Sequence, residues 1–238
     1  RTRLSLNFFD KENETLRNAC TEVTSADDSD VCNLGSINTG RIEDIREMVE
    51  VVELATKFLL CGTLKAKLPY NKVELTRAKN RRLGLSLMGM HEWLIQRYEK
   101  HEVTTELHNW LSVYKEVSDK ISKATTDRLS ISRPGANTTI APMGSIGILA
   151  DSSTGLEPLF AVYYKRRNLR GNTLRYQYVV DFTATELIDR YDTDSESIES
   201  AFDLANDYER RMAFQDDVQD HVDMSISFSE EEDPSSDD

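Results

Sequence analysis

Cysteine, histidine and long apolar runs are scarce in this sequence, and each scarcity argues against a class of protein. The 238 residues include three cysteines and four histidines. No Cys-x-x-Cys pair occurs and the histidines are scattered without ligand spacing, so no metal site is predicted. With no signal peptide and no run long enough to span a bilayer, we expect a cytoplasmic protein with free thiols and no membrane partner.

Positive charge is also in short supply. Against 42 acidic residues there are 29 basic ones, which gives a formal net charge of −13. Such a surface repels phosphate backbones, so nucleic acid is not an expected partner. Hydrophobic residues make up 39% of the chain, enough for one domain with its own core, predicted over residues 1–224. Residues 225–238 are predicted to form an acidic, disordered tail.

Hydrophobic periodicity predicts alternating helices and strands. A turn-rich loop is expected over 10–40. Helices are predicted over 42–59 with Gly62 as the stop, and over 91–98, 105–129 and about 195–212, the last continuing through Val222. Strands are predicted over 82–89, with one tightly covered face, and over 137–141, before a turn and possible helix start at 142–148. This order predicts an α/β fold with parallel strands.

One short pattern brings three chemical functions together. In an extended segment, alternate side chains point the same way, so Asn18, Cys20 and Glu22 would converge on one side. A thiol can lose and regain a hydrogen atom, a carboxylate can accept a proton, and an amide can both donate and accept hydrogen bonds. Alone, the pattern is short enough to occur by chance in an exposed polar loop.

Four further blocks follow in order, and together they resemble the ribonucleotide reductase large subunit over roughly residues 15 to 225. After Asn-x-Cys-x-Glu come Cys-Asn-Leu-Gly-Ser-Ile-Asn at 32–38, Asn-Arg-Arg-Leu-Gly-Leu at 80–85, Thr-Ile-Ala-Pro-Met-Gly-Ser-Ile at 139–146 and Ser-Thr-Gly-Leu-Glu-Pro-Leu-Phe at 153–160. His221-Val222-Asp223 is interpreted as part of a family-like C-terminal helix.

The resemblance implies the C-terminal part of a ten-stranded α/β barrel with a catalytic finger loop. It also implies reduction of ribonucleotides to deoxyribonucleotides by thiyl-radical chemistry. Cys20 would abstract the ribose 3′-hydrogen, Glu22 would take the 3′-hydroxyl proton, and Asn18 would hydrogen-bond the ribose. Cys32 would be one of the two cysteines that reduce the substrate and end as a disulfide.

The same resemblance implies a substrate phosphate site in the turn within the block at 139–146. Its residues would be Ala141, Pro142, Met143, Gly144, Ser145 and Ile146. Small residues let backbone N–H groups approach an anion at a helix N-terminus. Met143 stands where the family most often has Thr, which removes a hydroxyl donor. A purely structural strand-to-helix turn is the alternative interpretation.

The amino-acid sequence at 146–151 and 164–167 most resembles the adenosylcobalamin-dependent class of reductase. The resemblance therefore implies adenosylcobalamin as the cofactor. Tyr163-Tyr164 is interpreted as a bulky pair on a buried strand and not as a radical relay. Cys61 is interpreted as a small buried hydrophobe. The arginine pairs at 81–82 and 166–167 are interpreted as solvated strand ends without an assigned role.

The first redox cysteine has no match in this chain, since the family carries it in its N-terminal half. The sequence is therefore expected to be a fragment that needs that missing half, together with a thioredoxin-type reductant and a ribonucleotide. Two alternatives stay open. One is a metal-cofactor-dependent reductase of the first class, and the other is a non-catalytic piece of a split enzyme, which Met143 mildly favours.

Overall fold

The computed structural model describes residues 2–4, 16–224 and 228–230. Its strands are β1 (Thr2–Leu4), β2 (Leu16–Arg17), β3 (Thr24–Ser25), β4 (Asn33–Asn38), β5 (Leu83–Met88), β6 (Tyr163–Arg170), β7 (Thr173–Val180) and β8 (Phe228–Glu230). Its α-helices are α1 (Ile45–Lys65), α2 (Asn71–Asn80), α3 (Met90–Tyr98), α4 (Thr105–Leu129), α5 (Gly144–Leu149), α6 (Phe182–Tyr191), α7 (Ala201–Leu204) and α8 (Tyr208–Gln219), and a 3₁₀ turn covers Thr39–Arg41.

A small parallel sheet organises the molecule. β4 and β5 pair in parallel, from Asn33 opposite Leu83 to Asn38 opposite Met88. A third extended segment joins the other edge of β5, where Leu85 pairs in parallel with Thr138. Helices follow each of these segments in the chain, which confirms the predicted α/β fold. Among the described residues the parallel segments do not close into a barrel.

The two faces of this sheet differ in what covers them. On one face a Cβ at Gly35 would lie 2.9 Å from Leu59 of α1, and the Tyr114 hydroxyl of α4 donates to the Leu85 carbonyl at 2.5 Å. The opposite face carries Cys32 and Gly84, because side chains alternate along a strand. We call the first the helix face and the second the open face. The predicted strand at 82–89 is thus confirmed, although all of β5 is buried.

Both long helices were predicted from their apolar stripes, and capping residues set where they begin. Asp44 accepts from the Arg46 and Glu47 backbone N–H groups ahead of α1, and Thr104 accepts from Leu107 N–H ahead of α4, as N-caps do. The predicted stop at Gly62 is wrong, since α1 runs on to Lys65. Gly62 instead makes room for Asn33, whose Nδ2 would lie 3.0 Å from an added Cβ.

Two predictions of burial are wrong. Tyr163 and Tyr164 lie on β6, which pairs antiparallel with β7 in a hairpin that the sequence analysis did not predict. Tyr163 is 76% exposed, because the hairpin lies largely outside the described core. Cys61 is exposed as well, since its position on α1 faces away from the buried stripe.

The single helix predicted from about residue 195 onward is wrong, because the structure has two separate helices there. Residues 195–200 are not helical; α7 begins after Ser200, which forms a capping box with Asp203, and Asp207 then caps the separate helix α8. Two capping signals thus interrupt the acidic stretch. His221 and Asp223 follow α8 and do not lie within a helix. Of the predicted tail, β8 pairs antiparallel with β1, and 225–227 and 231–238 lie outside the described residues. No described helix is long and apolar enough to cross a membrane.

Candidate active site

The predicted catalytic trio lies at the tip of a β-hairpin and not in an extended segment. β2 and β3 pair antiparallel, and between them the Thr21 backbone N–H donates to the Asn18 carbonyl at 3.0 Å. Thr21 has a left-handed φ of 70°. The Asn18 side chain accepts from the Val23 N–H at 3.1 Å and so fastens the turn. The predicted alternation of side chains through Cys20 is therefore wrong, because the chain reverses there.

The hairpin places the trio at different depths. Asn18 is exposed and Cys20 is half-buried with a free thiol. Glu22 is only 2% exposed, and its Oε2 has no hydrogen-bond partner among the described residues. A buried carboxylate oxygen without a donor is costly unless something else supplies one. A ligand hydroxyl next to Glu22 would meet that need.

Hydrogen bonding joins the hairpin to the open face of the sheet. The Thr139 hydroxyl donates to the backbone carbonyl of Glu22 at 2.7 Å. A Cβ at Gly84 would lie 3.2 Å from Thr139 Cγ2 and 2.9 Å from the sulfur of Cys32. Glu22, Thr139, Gly84 and Cys32 are thus close neighbours, and the structure brings together two residues predicted for the site, Glu22 and Cys32.

Cys32 has an environment that keeps its thiol protonated. Removal of water from around its sulfur raises the pKa of Cys32 to about 12, with Arg82 opposing the rise and Asp30 and Glu22 adding to it. At neutral pH a thiol with this pKa carries its hydrogen almost all of the time. Cys32 is a free cysteine, as its predicted redox role requires.

An ion pair that the sequence analysis missed anchors the loop between the hairpin and Cys32. Asp30 Oδ2 accepts from Arg82 Nε at 2.7 Å, from Ser25 Oγ at 2.7 Å and from Asn80 Nδ2 at 2.8 Å. Arg82 is 4% exposed, so interpreting it as a solvated strand end was wrong. The only sequence signal was the arginine itself, because its partner lies far away along the chain.

The predicted phosphate turn forms as a strand end followed by a helix start. Ala141 N–H donates to Ser86 Oγ at 3.0 Å, and the first residues of α5, Gly144, Ser145 and Ile146, are exposed. Met143 is buried, and its sulfur accepts from Ser36 Oγ at 2.7 Å. The hydroxyls of Ser36 and Ser86 were not predicted as part of the site, although their alternation with apolar residues placed them on one face.

A cleft of about 430 Å³ opens beside this turn. Gly147 and Ile148 of α5 line one side, and Tyr164, Arg166 and Phe182 line another. It shares no lining residue with the β2–β3 hairpin. The cleft reaches the second half of α5, and its charges are mixed, with two arginines, Arg166 and Arg211, beside the carboxylates of Asp151, Glu157 and Asp181.

These features define an α/β protein in which a short hairpin packs a buried carboxylate against a parallel sheet, next to a cysteine that immediately precedes one of its strands. The family model for the ribonucleotide reductase barrel domain matches residues 7–109 and 101–230. The chain belongs to that family, as the ordered motifs predicted.

The relatives that this chain matches are named as vitamin B12-dependent or adenosylcobalamin-dependent reductases. The chain is 30% identical over 167 residues to the vitamin B12-dependent ribonucleoside-diphosphate reductase of Thermoplasma acidophilum, which covers 60% of this chain and 22% of that protein. It is 27% identical over 174 residues to a putative adenosylcobalamin-dependent ribonucleoside-triphosphate reductase of Mycobacterium phage D29. That match covers 68% of this chain and 25% of the phage protein. The chain thus spans about a quarter of these relatives.

A crystal structure of a B12-dependent, class II ribonucleotide reductase has the same fold. It superposes with a TM-score of 0.70 at 18% identity and covers 92% of this chain and 35% of that chain. The likeness extends over nearly the whole chain and supports the predicted partial barrel. At 18% identity, the structural similarity supports the fold and not the roles of individual residues.

Proposed function

We propose that this chain supplies the radical cysteine and one of the two reducing cysteines of an adenosylcobalamin-dependent ribonucleotide reductase. The observation that carries the proposal is the hairpin that holds Cys20 at its tip and packs Glu22 against the sheet face that carries Cys32. The vitamin B12-dependent and adenosylcobalamin-dependent names of the relatives support this class over the metal-cofactor-dependent one.

Cys20 would act on the ribose. As a thiyl radical it would take the 3′-hydrogen, and the Glu22 carboxylate would accept the 3′-hydroxyl proton while the 2′-hydroxyl leaves as water. The orphaned Oε2 of Glu22 fits that acceptor role, because nothing described competes for it. Asn18 would bind a ribose hydroxyl, which requires its amide to turn away from Val23 or to use its NH₂ group.

Cys32 and a second cysteine would together supply one proton to the departing 2′-hydroxyl, and one hydrogen atom and one electron to the substrate radical. The substrate needs two reducing equivalents, so Cys32 must form a disulfide with a second cysteine as the product forms. In the family that cysteine belongs to the N-terminal half, which we propose as the partner of this chain, with a thioredoxin-type reductant restoring the dithiol. The raised pKa of Cys32 favours hydrogen donation over nucleophilic attack.

The residues present are compatible with the proposed cofactor at one point. Cys20 is a free, half-exposed thiol at a hairpin tip, which a radical source can approach. When bound, adenosylcobalamin would supply the radical that removes the Cys20 hydrogen. The described residues that would lie against it are those of the hairpin tip, 18–21.

The phosphate of the substrate would bind at the start of α5. We propose that the backbone N–H groups around Met143, Gly144, Ser145 and Ile146 receive it, with Ala141 and Pro142 fixing the turn. Met143 does not block this arrangement, because its buried side chain points to Ser36. This placement weakens the case that Met143 marks a non-catalytic piece.

The test is reconstitution. The chain is co-expressed with the N-terminal half of a class II reductase barrel, and ribonucleotide reduction is measured with and without adenosylcobalamin and with a dithiol. We expect cobalamin-dependent turnover that Cys20→Ser abolishes and Glu22→Gln lowers by at least about 100-fold. Cys61→Ser, which removes an exposed thiol far along α1, should leave turnover unchanged.

Each alternative has its own outcome. Turnover that needs a metal-radical subunit and ignores adenosylcobalamin would assign the chain to the first class. A correctly assembled complex that binds substrate, but whose turnover stays at background in the parent and is no lower in the Cys20→Ser variant, would make the chain a non-catalytic assembly piece.

A further inference from the structure

Three potential ligand atoms from distant parts of the sequence meet between α4 and α8. His108 lies in the first turns of α4, Asp217 lies near the end of α8, and His221 follows α8. His108 Nδ1 is 3.2 Å from Asp217 Oδ1 and 3.3 Å from His221 Nε2. All three ligand atoms lie within 4.8 Å of one another.

Hydrogen bonding alone leaves this cluster poorly satisfied. A single ring nitrogen, His108 Nδ1, faces both a carboxylate oxygen and another imidazole nitrogen. If Nδ1 carries a proton, it can direct that proton well to only one of them, and if it does not, its lone pair faces the carboxylate. Asp217 Oδ2 is in addition buried without a hydrogen-bond partner among the described residues. Hydrogen bonds within the described residues therefore leave at least one oxygen of this cluster, Asp217 Oδ2, without a donor.

The spacing is that of ligands around a small metal ion. Metal–nitrogen and metal–oxygen distances of about 2.0–2.1 Å in a tetrahedral site put neighbouring ligand atoms about 3.3 Å apart. Two of the separations here, 3.2 and 3.3 Å, agree with that value. Two imidazoles and one carboxylate are also a donor set that suits zinc and similar borderline divalent ions.

We propose that His108, Asp217 and His221 bind a divalent transition-metal ion, zinc being the best match, with water completing the coordination. The ion would draw all three lone pairs inward and neutralise the carboxylate. Because the ligands come from α4 and from α8 and the residues after it, the bound ion would tie the C-terminal helix to the longest helix of the domain. The site shares no residue with the proposed active site.

The sequence analysis predicted no metal site, and this proposal departs from it for a simple reason. His108 and His221 are far apart in sequence, so no ligand spacing was visible. Asp217 and His221 stand four residues apart, but this pair is common in helical and turn regions and gave no signal on its own.

The experiment measures zinc binding by the full chain in a Cys61→Ser background, which removes the exposed thiol as a competing ligand. Equilibrium dialysis with zinc chloride should find one tightly held ion per chain, and added zinc should raise the midpoint of thermal unfolding. Asp217→Asn and His221→Gln should each weaken binding more than about tenfold. Asp216→Asn removes an exposed carboxylate next to Asp217 and should leave the affinity unchanged.

A spectroscopic arm tests the ligands directly. Cobalt(II) substituted for zinc should give the intense visible absorption of a low-coordinate, nitrogen-ligated ion, and His221→Gln should abolish it. The proposal is overturned if Asp217→Asn and His221→Gln bind zinc as tightly as the parent, or if the parent binds no stoichiometric ion. In either case, the cluster is a hydrogen-bonded group only. Circular dichroism of each variant separates lost ligation from lost folding.

Discussion

Cys32 and Cys61 show how surroundings alone can separate two identical side chains. Cys61 is exposed on α1, whereas Cys32 lies against Gly84 with little water around its sulfur, which raises its pKa to about 12. The sequence distinguishes them only through the motif around Cys32. Their difference in reactivity follows from depth and from the neighbouring charges.

Alkylation should reveal that difference. At pH 8 the thiolate fraction of Cys32 should be on the order of one in ten thousand, so iodoacetamide should label Cys61 long before Cys32. Between pH 8 and 10 the Cys32 rate should grow about tenfold per pH unit, because the thiolate fraction does. Peptide mass spectrometry over a time course measures both rates. Labelling of Cys32 at pH 8 as fast as that of Cys61 would contradict the raised pKa.

Position 84 requires glycine because neighbouring side chains leave no room for a Cβ atom. An added Cβ would lie 2.9 Å from Cys32 Sγ and closer still to Leu34 Cδ2. We expect Gly84→Ala to lower the free energy of unfolding by about 1–3 kcal/mol through overpacking.

Gly144 provides the matched control, since a Cβ there would have no neighbour within 4 Å. Gly144→Ala should change stability by less than about 1 kcal/mol. Urea unfolding followed by circular dichroism compares the two variants. An equal loss for both would show that the cost at Gly84 does not arise from the crowded contact.

At the scale of elements, hydrophobic periodicity predicted the helices that bury one face. It did not predict elements that bury few side chains. The stripes that made α1 and α4 predictable exist because those helices bury one face. The β6–β7 hairpin was missed although Gly171, with a φ of 60°, marks its turn. Leu174, Tyr176 and Tyr178 alternate with polar residues along β7, but the sequence analysis did not weigh that alternation. The break between α7 and α8 was missed because capping signals were not weighed within an acidic stretch.

The hairpin carrying Cys20 was also missed, and for a different reason. The pairing of β2 with β3 involves only two residue pairs, Leu16 with Ser25 and Arg17 with Thr24. Strands this short leave no periodic signal. The motif therefore predicted which residues matter, whereas their arrangement came from the turn and from anchoring by the Asp30–Arg82 ion pair.

Breaking that ion pair should loosen the loop below the active site. Asp30→Asn keeps the shape but removes the carboxylate that pairs with the buried Arg82 side chain, so the free energy of unfolding should fall by up to about 3–5 kcal/mol. Urea unfolding gives the stability. Hydrogen exchange should show faster exchange in residues 24–32 if the pair anchors this loop.

Asp28→Asn is the control for Asp30→Asn, because Asp28 pairs with Lys72 at an exposed site. Its loss should cost less than about 1 kcal/mol. If Asp30→Asn proves as mild as Asp28→Asn, the buried pair does not anchor the loop.

For the molecule as a whole, the ordered motifs predicted the family and the fold. Contacts between residues far apart in sequence could not be predicted. The five blocks predicted the family and the partial barrel, because their residues and their order along the chain match the family pattern. Contacts such as Asp30 with Arg82, or His108 with Asp217 and His221, join segments far apart in sequence. No single sequence encodes such pairings in a readable period.

A buried histidine pair should make the whole fold sensitive to mild acid. His91 and His101 lie with their Nδ1 atoms 3.4 Å apart. Loss of water lowers the pKa of His91 to about 3, and burial, with His91 nearby, lowers the pKa of His101 well below its usual value of 6.5. Above pH 6.5 both histidines are neutral whether the chain is folded or unfolded, so their contribution is fully present there.

As the pH falls below 6.5, the unfolded chain binds protons that the folded chain cannot accept. The free energy of unfolding should then fall by up to about 1.4 kcal/mol per pH unit for each histidine, down to about pH 3 for His91. Urea unfolding between pH 6.5 and 5 isolates this effect from most carboxylate titration. His91→Gln should remove the share of the slope that belongs to His91, whereas His108→Gln, measured with a chelator present, should leave that share in place. His221, whose pKa is lowered by burial and by nearby His108, adds a share of its own, which His108→Gln should reduce. Equal slopes in His91→Gln and the parent would mean that His91 takes up its proton without unfolding, and therefore that its ring is not held neutral by the core.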